Sequence, residues 1–363
     1  MKIYHGFEQG EKWLNRYDGC RPIFTCTLGF TETALIDGIS AAGATGSSRR
    51  YTAVADAEFL VNGVSALPRY PLPPLSEGIS PTFITRAVVE TLQLPVYIFN
   101  AGLPVTPSVP VIDLQGKPAR CLSTGNAMTL TQVKHLYQQG LMWGEKLAQE
   151  NPNSYLILSE CVVGGTTTAL GVLRALGING MVNSSHPVCN HSQKEKIVQE
   201  GLQRANLPSS ATALDIVGAV GDPMQIFVAG MALSASGYQG VMLAGGTQML
   251  AVLALMQRLV RDGVTGANFD NIIVATTRWV AEDTTGNTVA LAQMVADIPL
   301  CATQLNFSNS IYPSLQAYER GFVKEGVGAG GSALASHLLQ LSSSELMIAV
   351  EGIISRFSHS TIS

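Results

Sequence analysis

One carboxylate, two glycines and three consecutive threonines occur together in residues 160–168, directly after the apolar residues 155–158. The apolar run predicts a buried strand, and residues 167–175 predict the first turns of a helix. The turn between them carries Glu160, Gly164, Gly165 and Thr166, and Thr167 begins the predicted helix. Backbone N–H groups at a helix start bind phosphate, assisted by the helix dipole. The segment therefore predicts an anion site, and an ordinary turn with threonine caps is the structural alternative.

Three further segments combine glycines with a polar side chain before a predicted helix. They contain Gly221 and Asp222 in GDPMQ, Gly245 and Gly246 in LAGGTQ, and Glu325, Gly326 and Gly328 in KEGVGAGG. A glutamate among apolar, glycine-lined walls can have its pKa raised enough to act as a base. The alternatives are an N-cap role for Asp222 and a solvated side chain for Glu325.

The elements that would position these residues alternate between strand and helix. Predicted strands cover residues 23–28, 51–55, 96–100, 155–158, 240–243 and 272–276. Predicted helices cover residues 31–41, 81–92, 129–149, 168–176, 194–205 and 248–261. This alternation predicts an α/β fold, a Rossmann-like parallel sheet with helices on both faces. The site is then expected at the carboxyl ends of the strands, with the proline-rich residues 67–81 as a bordering loop.

The ends of the chain depart from the alternating pattern. We expect residues 21–310 to form an α/β nucleotide-binding core. Residues 1–20 and 311–363 are mostly helical in pattern, and we expect them to form a smaller lobe that carries the Glu325 loop.

Composition limits the partners. Only 13% of the 363 residues are charged, against roughly 25% in typical domains, which predicts that a subunit interface covers part of the surface. The net charge of −4 and the lack of a basic cluster argue against nucleic acid. Residues 224–257 carry no charge, but polar residues and glycines divide them into helix, strand and helix, so we expect no membrane span. Small-molecule substrates fit best.

The N-terminal segment carries charges throughout and has no apolar core of a signal peptide, so we expect a cytoplasmic protein. The six cysteines form no CxxC pair, and free thiols are expected. His186, Cys189 and His191 lack a second cluster to complete a zinc site, so no metal is predicted.

Four segments, taken in their order along the chain, resemble the nicotinate-nucleotide:dimethylbenzimidazole phosphoribosyltransferases of cobalamin assembly. They are SECVVGGTTTAL, GDPMQIFVAGMAL, VMLAGGTQMLAVLAL and KEGVGAGGSAL. NGVSALP at residues 62–68 is similar to that family's valine-serine loop, and GNAMT at residues 125–129 to its Gly-Pro-Ala-Met-Thr block. The resemblance runs from about residue 51 to residue 333 and consists of short blocks.

The resemblance implies transfer of phosphoribose from nicotinate mononucleotide to a benzimidazole or purine base, which gives an α-ribotide for cobamide synthesis, without a cofactor and in a homodimer. It implies Glu325 as the catalytic base and Glu160 as a second carboxylate near the ribose or nicotinate. It places the phosphate at Gly164, Gly165, Thr166, the 245–246 turn and Lys194, and the acceptor base near Ser65.

Some blocks depart from the family pattern. Asp56-Ala57-Glu58 stand where the family has Asp-His-Gly, and residues 243–246 and 276–279 also differ. These changes affect the base pocket more than the phosphate site and indicate a divergent branch. A nucleotide-binding or regulatory homologue without catalysis remains an alternative. A nicotinamide-dinucleotide oxidoreductase is a weaker one, because no GxGxxG follows a predicted strand.

Overall fold

Residues 1–43, 45–65, 67–75 and 77–360 are described by the computed structural model, and within them the chain forms eight strands and fourteen α-helices. The strands are β1 (Lys2–His5), β2 (Ile23–Gly29), β3 (Val96–Gly102), β4 (Ile112–Asp113), β5 (Tyr155–Cys161), β6 (Gly240–Ala244), β7 (Ile272–Thr277) and β8 (Leu300–Thr303). Parts of three predicted segments lie outside the described residues. They are residue 66 of the 62–68 block, residue 76 of the predicted 67–81 loop and residues 361–363 of the predicted lobe.

The α-helices include two single turns, α10 and α12. In chain order they are α1 (Phe7–Arg16), α2 (Arg49–Asn62), α3 (Thr82–Leu92), α4 (Leu130–Glu150), α5 (Gly165–Ala175), α6 (His191–Ala205), α7 (Ala213–Val220), α8 (Pro223–Ser236), α9 (Thr247–Arg261), α10 (Arg278–Ala281), α11 (Thr288–Val295), α12 (Pro313–Gln316), α13 (Ala329–Leu338) and α14 (Ser343–Ser360).

All the strands join in one sheet with the order β1-β8-β7-β6-β5-β2-β3-β4. Neighbouring strands are parallel except for β1, which pairs antiparallel with β8 at the edge. The chain runs from β2 to β3 on one side and then places β5 on the other side of β2. The strand order therefore reverses between β2 and β5, and the carboxyl ends at such a switch point are where open α/β sheets bind ligands.

Helices cover both faces, as the alternating pattern predicted. Leu156 and Leu158 of β5 pack with α4, α5, α8 and α9, whereas Tyr155, Ile157 and Cys161 pack with α2, α3, α13 and α14. Successive residues of a strand point to opposite faces, so a strand buried on both sides is apolar throughout. The prediction of an α/β parallel sheet is confirmed.

Two predicted elements are wrong. Residues 51–55, predicted as a strand, form the first turns of α2, because their short β-branched pattern belongs to a longer alanine-rich segment that favours a helix. Residues 31–41, predicted as a helix, form only a 3₁₀ turn at Glu32–Leu35. The turn ends at Ile36, whose backbone is extended with a ψ of 129°, and Gly38 follows with a φ of 73°.

The terminal segments pack on the same sheet as the rest of the chain. β1 extends the sheet at β8, and α14 packs against α3. The division into a core of 21–310 and a lobe of 1–20 with 311–363 stays a prediction. Residues 224–257 divide into α8, β6 and α9, and in the described residues no helix is both long enough and apolar enough to cross a membrane.

Two glycines let α4 and α8 approach closely. A Cβ atom at Gly140 would lie 2.2 Å from the carbonyl oxygen of Phe227, and one at Gly144 would lie 2.3 Å from that of Met231. Both obstacles are backbone atoms, so a side chain could be accommodated only by moving a helix. Because α8 packs on β2, β3, β5 and β6, this contact supports the centre of the sheet.

We expect Gly144→Ala to lower the melting temperature. Overpacking costs roughly 1–3 kcal/mol, which exceeds the gain of up to about 1 kcal/mol from replacing glycine in a helix. The matched control is Gly352→Ala in α14, where a Cβ atom has no neighbour within 4 Å and stability should stay constant or rise. Equal melting temperatures for Gly144→Ala and wild type would contradict this account of the α4–α8 contact.

Candidate active site

A cavity lies at the carboxyl ends of β5 and β6, next to the switch point of the sheet. Its wall is built from residues 40–42, 160–166, 183–185, 246–248 and 322–327, with further residues from α2, from the 73–81 segment and from α10. It therefore joins three of the glycine-containing segments singled out in the sequence. Glu160 and Glu325 both line it.

Glu160 is the penultimate residue of β5 and is 5% exposed. Its carboxylate accepts hydrogen bonds from the Val162 N–H at 2.9 Å and from Nε2 of Gln248 at 3.0 Å. Burial raises the pKa of Glu160 to about 8. The nearby carboxylates of Asp222 and Glu325 add to this rise, and the two donors act against it. This side chain therefore keeps its proton at neutral pH.

Glu325 lies between the end of β7 and the start of α13. One carboxylate oxygen accepts from the Thr276 hydroxyl at 3.0 Å and the Thr277 N–H at 2.9 Å. The other accepts from the N–H groups of Gly326 and Gly330, both at 3.1 Å. Burial raises the pKa of Glu325, and the four donors act against that rise. The two glutamates thus face one cavity in different environments, and Glu325 has more donors to stabilise its anion.

Gly330 explains how Glu325 reaches its donors. A Cβ atom at Gly330 would lie 2.1 Å from the carbonyl carbon of Thr276, so only glycine allows α13 to begin against the end of β7. This approach brings the Gly330 N–H and the Thr277 N–H to the same carboxylate.

The segment predicted to bind an anion forms a helix start that faces the cavity, and the anion site itself stays a prediction. Gly164 precedes α5 with a φ of 80°, a conformation that favours glycine. Gly164, Gly165 and Thr166 line the cavity. The Gly165 and Thr167 N–H groups donate to the carbonyls of Val162 and Gly164 at 3.1 and 2.9 Å.

The 183–185 segment faces the cavity beside α5 and is fixed from behind by a buried cation. Lys194 is fully buried, and its Nζ donates to the Asn183 carbonyl at 2.6 Å. Burial lowers the pKa of Lys194 to about 8. Lys324 lines the cavity nearby and donates to Asp283 at 2.6 Å. Burial opposes ionisation of Asp283, but hydrogen bonds from Lys324, Thr285 and Asn183 prevail and lower its pKa to about 2.

A third carboxylate faces the cavity from α2. Asp56 is 5% exposed and accepts from the Ser80 hydroxyl at 2.7 Å and from the Cys161 thiol at 3.4 Å. Burial raises the pKa of Asp56 to about 6. Because Cys161 follows Glu160 in β5, Asp56 and Glu160 approach the strand end from opposite faces of the sheet.

The structure brings about half of the predicted site residues to the cavity wall. These are Glu160, Gly164, Gly165, Thr166, Gly246, Glu325 and Gly326. The others lie behind the wall or away from it, and they are Ser65, Thr167, Lys194, Gly221, Asp222, Gly245 and Gly328. Asp222 caps α8 and accepts from the Thr168 hydroxyl at 2.6 Å, so it supports α5 from within the core.

Ser65 lies outside this cavity, with an exposed hydroxyl that accepts from the Leu67 N–H at 3.3 Å. The wall instead contains Ser40, which ends the similar sequence Gly38-Ile39-Ser40. That second Gly-aliphatic-Ser pattern lies between β2 and α2, within residues 31–41 that were predicted as a helix, so no signal in the sequence distinguished it from the pattern at Ser65. Asp56, Ser80 and Gln248 also line the cavity. In the sequence, Asp56 was noted only in a block that departs from the family and Gln248 only at the end of LAGGTQ, and Ser80 belongs to no motif.

The six cysteines are free. Among the described residues, no group of three or more His, Cys, Asp or Glu side chains is arranged to hold a metal ion. His186 and His191 instead bond the backbone carbonyls of Gly38 and Thr285.

Relatives align with nearly the whole chain. A UPF0284 protein of Microcystis aeruginosa is 61% identical, and the alignment covers 98% of both chains. A UPF0284 protein of Crocosphaera subtropica is 58% identical, again with 98% of both chains covered. No protein-family model matches the chain.

Solved structures share the fold. CobT from Thermus thermophilus has a TM-score of 0.59 and 15% identity, with 94% of this chain and 96% of that chain covered. The nicotinate-nucleotide-dimethylbenzimidazole phosphoribosyltransferase from the same organism has a TM-score of 0.58 and 15% identity, with 95% and 88% covered. The resemblance seen in short sequence blocks is thus confirmed as a likeness in fold.

The raised pKa of Glu160 predicts a pH dependence of stability. The folded protein holds this proton up to about pH 8, whereas the unfolded chain releases it near 4.5. Stability from this group is therefore present below pH 4.5 and is lost as the pH rises to about 8. We expect the free energy of unfolding of Glu160→Gln, relative to wild type, to rise by about 1 kcal/mol or more between pH 5 and pH 9. Denaturant unfolding at several pH values measures this difference.

Asp56 also has a raised pKa, but it is not among the groups that shift the pKa of Glu160, so its contribution should cancel in that comparison. The carboxylates of Asp222 and Glu325 interact with Glu160, so the pH range of the difference reports on the three groups together. A difference between Glu160→Gln and wild type that stays constant from pH 5 to pH 9 would show that Glu160 titrates normally.

Proposed function

We propose that this chain, which belongs to the UPF0284 family, is a phosphoribosyltransferase that transfers ribose phosphate from nicotinate mononucleotide to a benzimidazole or purine base. The observation that carries the proposal is that Glu160, Glu325 and the helix start at residues 164–166 line one cavity. The fold shared with CobT supports the same reaction class.

The start of α5 is the proposed phosphate site. Its N–H groups and dipole favour an anion, and Thr166 adds a hydroxyl at the same place. Lys194 contributes positive charge from behind Asn183, and an anion in front of that residue would favour its ionised form. Gly246, at the neighbouring start of α9, faces the same space.

In the proposed reaction, a nitrogen of the acceptor attacks C1′ of the ribose. The bond from C1′ to the pyridinium nitrogen breaks, and nicotinate leaves with the electron pair. The leaving group is already activated by its positive charge, so it needs no acid. The acceptor must lose the proton of its other ring nitrogen, and positive charge accumulates on the ribose in the transition state.

The different environments of the two glutamates suggest their roles. Glu325, stabilised as an anion by four donors, is the proposed base, and rotation of the Thr276 hydroxyl would free a lone pair for the proton. Glu160 is protonated at neutral pH, so it can lie beside the nicotinate carboxylate without repulsion and donate a hydrogen bond to it or to a ribose hydroxyl. Positioning of both substrates in one cavity would supply much of the rate, up to roughly 7–11 kcal/mol in well-aligned cases.

The predicted site residues behind the wall have supporting roles in this proposal. Asp222 and Gly221 hold the start of α8 behind α5, Gly245 precedes the 246–248 wall, and Gly328 opens α13 behind Glu325. The reaction uses no cofactor. A homodimer, a cytoplasmic location and a place in cobamide synthesis are further parts of the proposal.

A protein that binds the nucleotide without transferring it is the second candidate. The observation that favours it is the full set of four donors on Glu325, which leaves no lone pair free in the structure.

Release of nicotinate distinguishes the two candidates. We expect wild type to release nicotinate from nicotinate mononucleotide when supplied with benzimidazole or purine acceptors. Glu325→Gln should lower turnover by about 100-fold or more, the usual effect of losing a general base, while calorimetry shows nearly unchanged nucleotide binding. The control is Glu345→Gln, at the exposed start of α14, which should retain wild-type turnover.

Two results would contradict the proposal at different points. Unchanged turnover of Glu325→Gln would remove Glu325 from the role of base. Tight nucleotide binding by wild type without nicotinate release with any acceptor would favour the binding protein.

A further inference from the structure

One wall of the cavity carries polar side chains to which the proposed transfer assigns no role. Asp56 and Thr52 face the cavity from α2, and Ser80 faces it from the segment before α3. Asp56 receives two neutral donors, the Ser80 hydroxyl and the Cys161 thiol. An ionised carboxylate has about four acceptor positions, so Asp56 retains capacity for a ligand.

Asp56 lies on the opposite side of the sheet from the proposed phosphate site. α5 packs with Leu156 and Leu158 of β5, whereas Ala53 and Ala57 of α2 pack with the other face. A nucleotide whose phosphate binds at α5 therefore has its ribose near Glu160 and Glu325, and the space beyond them toward α2 is left for the acceptor.

The walls of that space suit a flat ring with a polar edge. Leu75, Phe322 and Val327 supply apolar surface, while Asp56 and Ser80 supply hydrogen-bonding groups on one side. The basic side chain of Lys324, which also lines the cavity, already pairs with Asp283, so it leaves the Asp56 carboxylate available to a neutral donor on the ligand.

We infer that the acceptor is a nitrogen heterocycle that carries a hydrogen-bond donor, such as an amino group, and that Asp56 selects it by accepting that hydrogen bond. The inference rests on the proposed transfer and specifies its acceptor. A heterocycle with methyl groups in the same position would exclude water from the Asp56 carboxylate and leave its remaining acceptor positions unfilled, which is costly for a buried charge. With a pKa of about 6, Asp56 is ionised at pH 8 and accepts.

The test compares acceptors that differ only in one group. Nicotinate release is measured with wild type that is loaded with nicotinate mononucleotide at pH 8. One pair of acceptors is 5-aminobenzimidazole and 5-methylbenzimidazole, and the other is adenine and 6-methylpurine. For the pair that fits the cavity, we expect kcat/KM to favour the amino compound by at least about tenfold, since sites built to bond a donor reject analogues without it.

Asp56→Leu should abolish or reverse that preference, and calorimetry with nicotinate mononucleotide checks that the variant is folded. Asp56→Asn keeps the size of the side chain and should reduce the preference. This variant replaces Asp56→Leu in the test if Asp56→Leu does not fold. Glu58→Gln is the matched control, because Glu58 is buried in the same helix but bonds the N–H groups of Arg69 and Tyr70. It should keep the wild-type ratio.

The outcomes separate the inference from the proposed function. Nicotinate release with a preference for the methyl compounds, or a ratio unaffected in folded Asp56 variants, would overturn the inference and leave the transfer standing. If the nucleotide binds but no acceptor releases nicotinate, the transfer is contradicted. Calorimetric binding of the same acceptor pairs to the nucleotide-loaded protein then decides whether Asp56 selects a donor.

Discussion

The burial of four carboxyl groups around one cavity is the constraint on which the rest of the structure depends. Asp56, Glu160, Asp222 and Glu325 are each bonded to neutral donors, and among the described residues none of the four forms an ion pair. A buried carboxylate without donors is strongly disfavoured. The chain must therefore supply N–H and O–H groups where the strands end, and it does so with the starts of α8 and α13 and with side chains of α5 and α9.

This arrangement gives the cavity a polarity that suits a nucleotide with a cationic base. The helix start at α5 and the buried Lys194 favour negative charge at one end, whereas an ionised Glu325 favours positive charge in the middle. A pyridinium ribonucleotide has that distribution, with phosphate at one end and cationic charge at C1′ and the ring. The central charge on the ribose increases in the proposed transition state, so the same groups that bind the substrate would also assist its reaction.

Much of the fold could be predicted from the sequence, because a strand buried on both faces is an apolar run and its helices have clear periodicity. The segments around Gly164, Gly246 and Glu325 were identified for the same reason: each follows a strand or precedes a helix at the carboxyl edge. The strand predicted at residues 51–55 was wrong because five residues cannot distinguish a short strand from the start of α2. Asp56 was noted only as part of a departure from the family pattern, because its place in the cavity depends on the way in which α2 packs. Ser65 and Ser40 show a related limit, since both belong to a Gly-aliphatic-Ser pattern that follows a predicted strand, and only the packing of the chain decides that Ser40 reaches the cavity.

The central claim is that Glu160 and Glu325 enclose the ribose of a nucleotide whose phosphate binds at the start of α5. A crystal structure of the protein with nicotinate mononucleotide tests it most directly. The account predicts phosphate oxygens within hydrogen-bonding distance of the N–H groups of Gly164 and Thr166, since the Gly165 N–H already donates to the Val162 carbonyl. It also predicts the ribose between the two glutamates. A nucleotide bound elsewhere, or oriented with its phosphate toward Asp56, would contradict it.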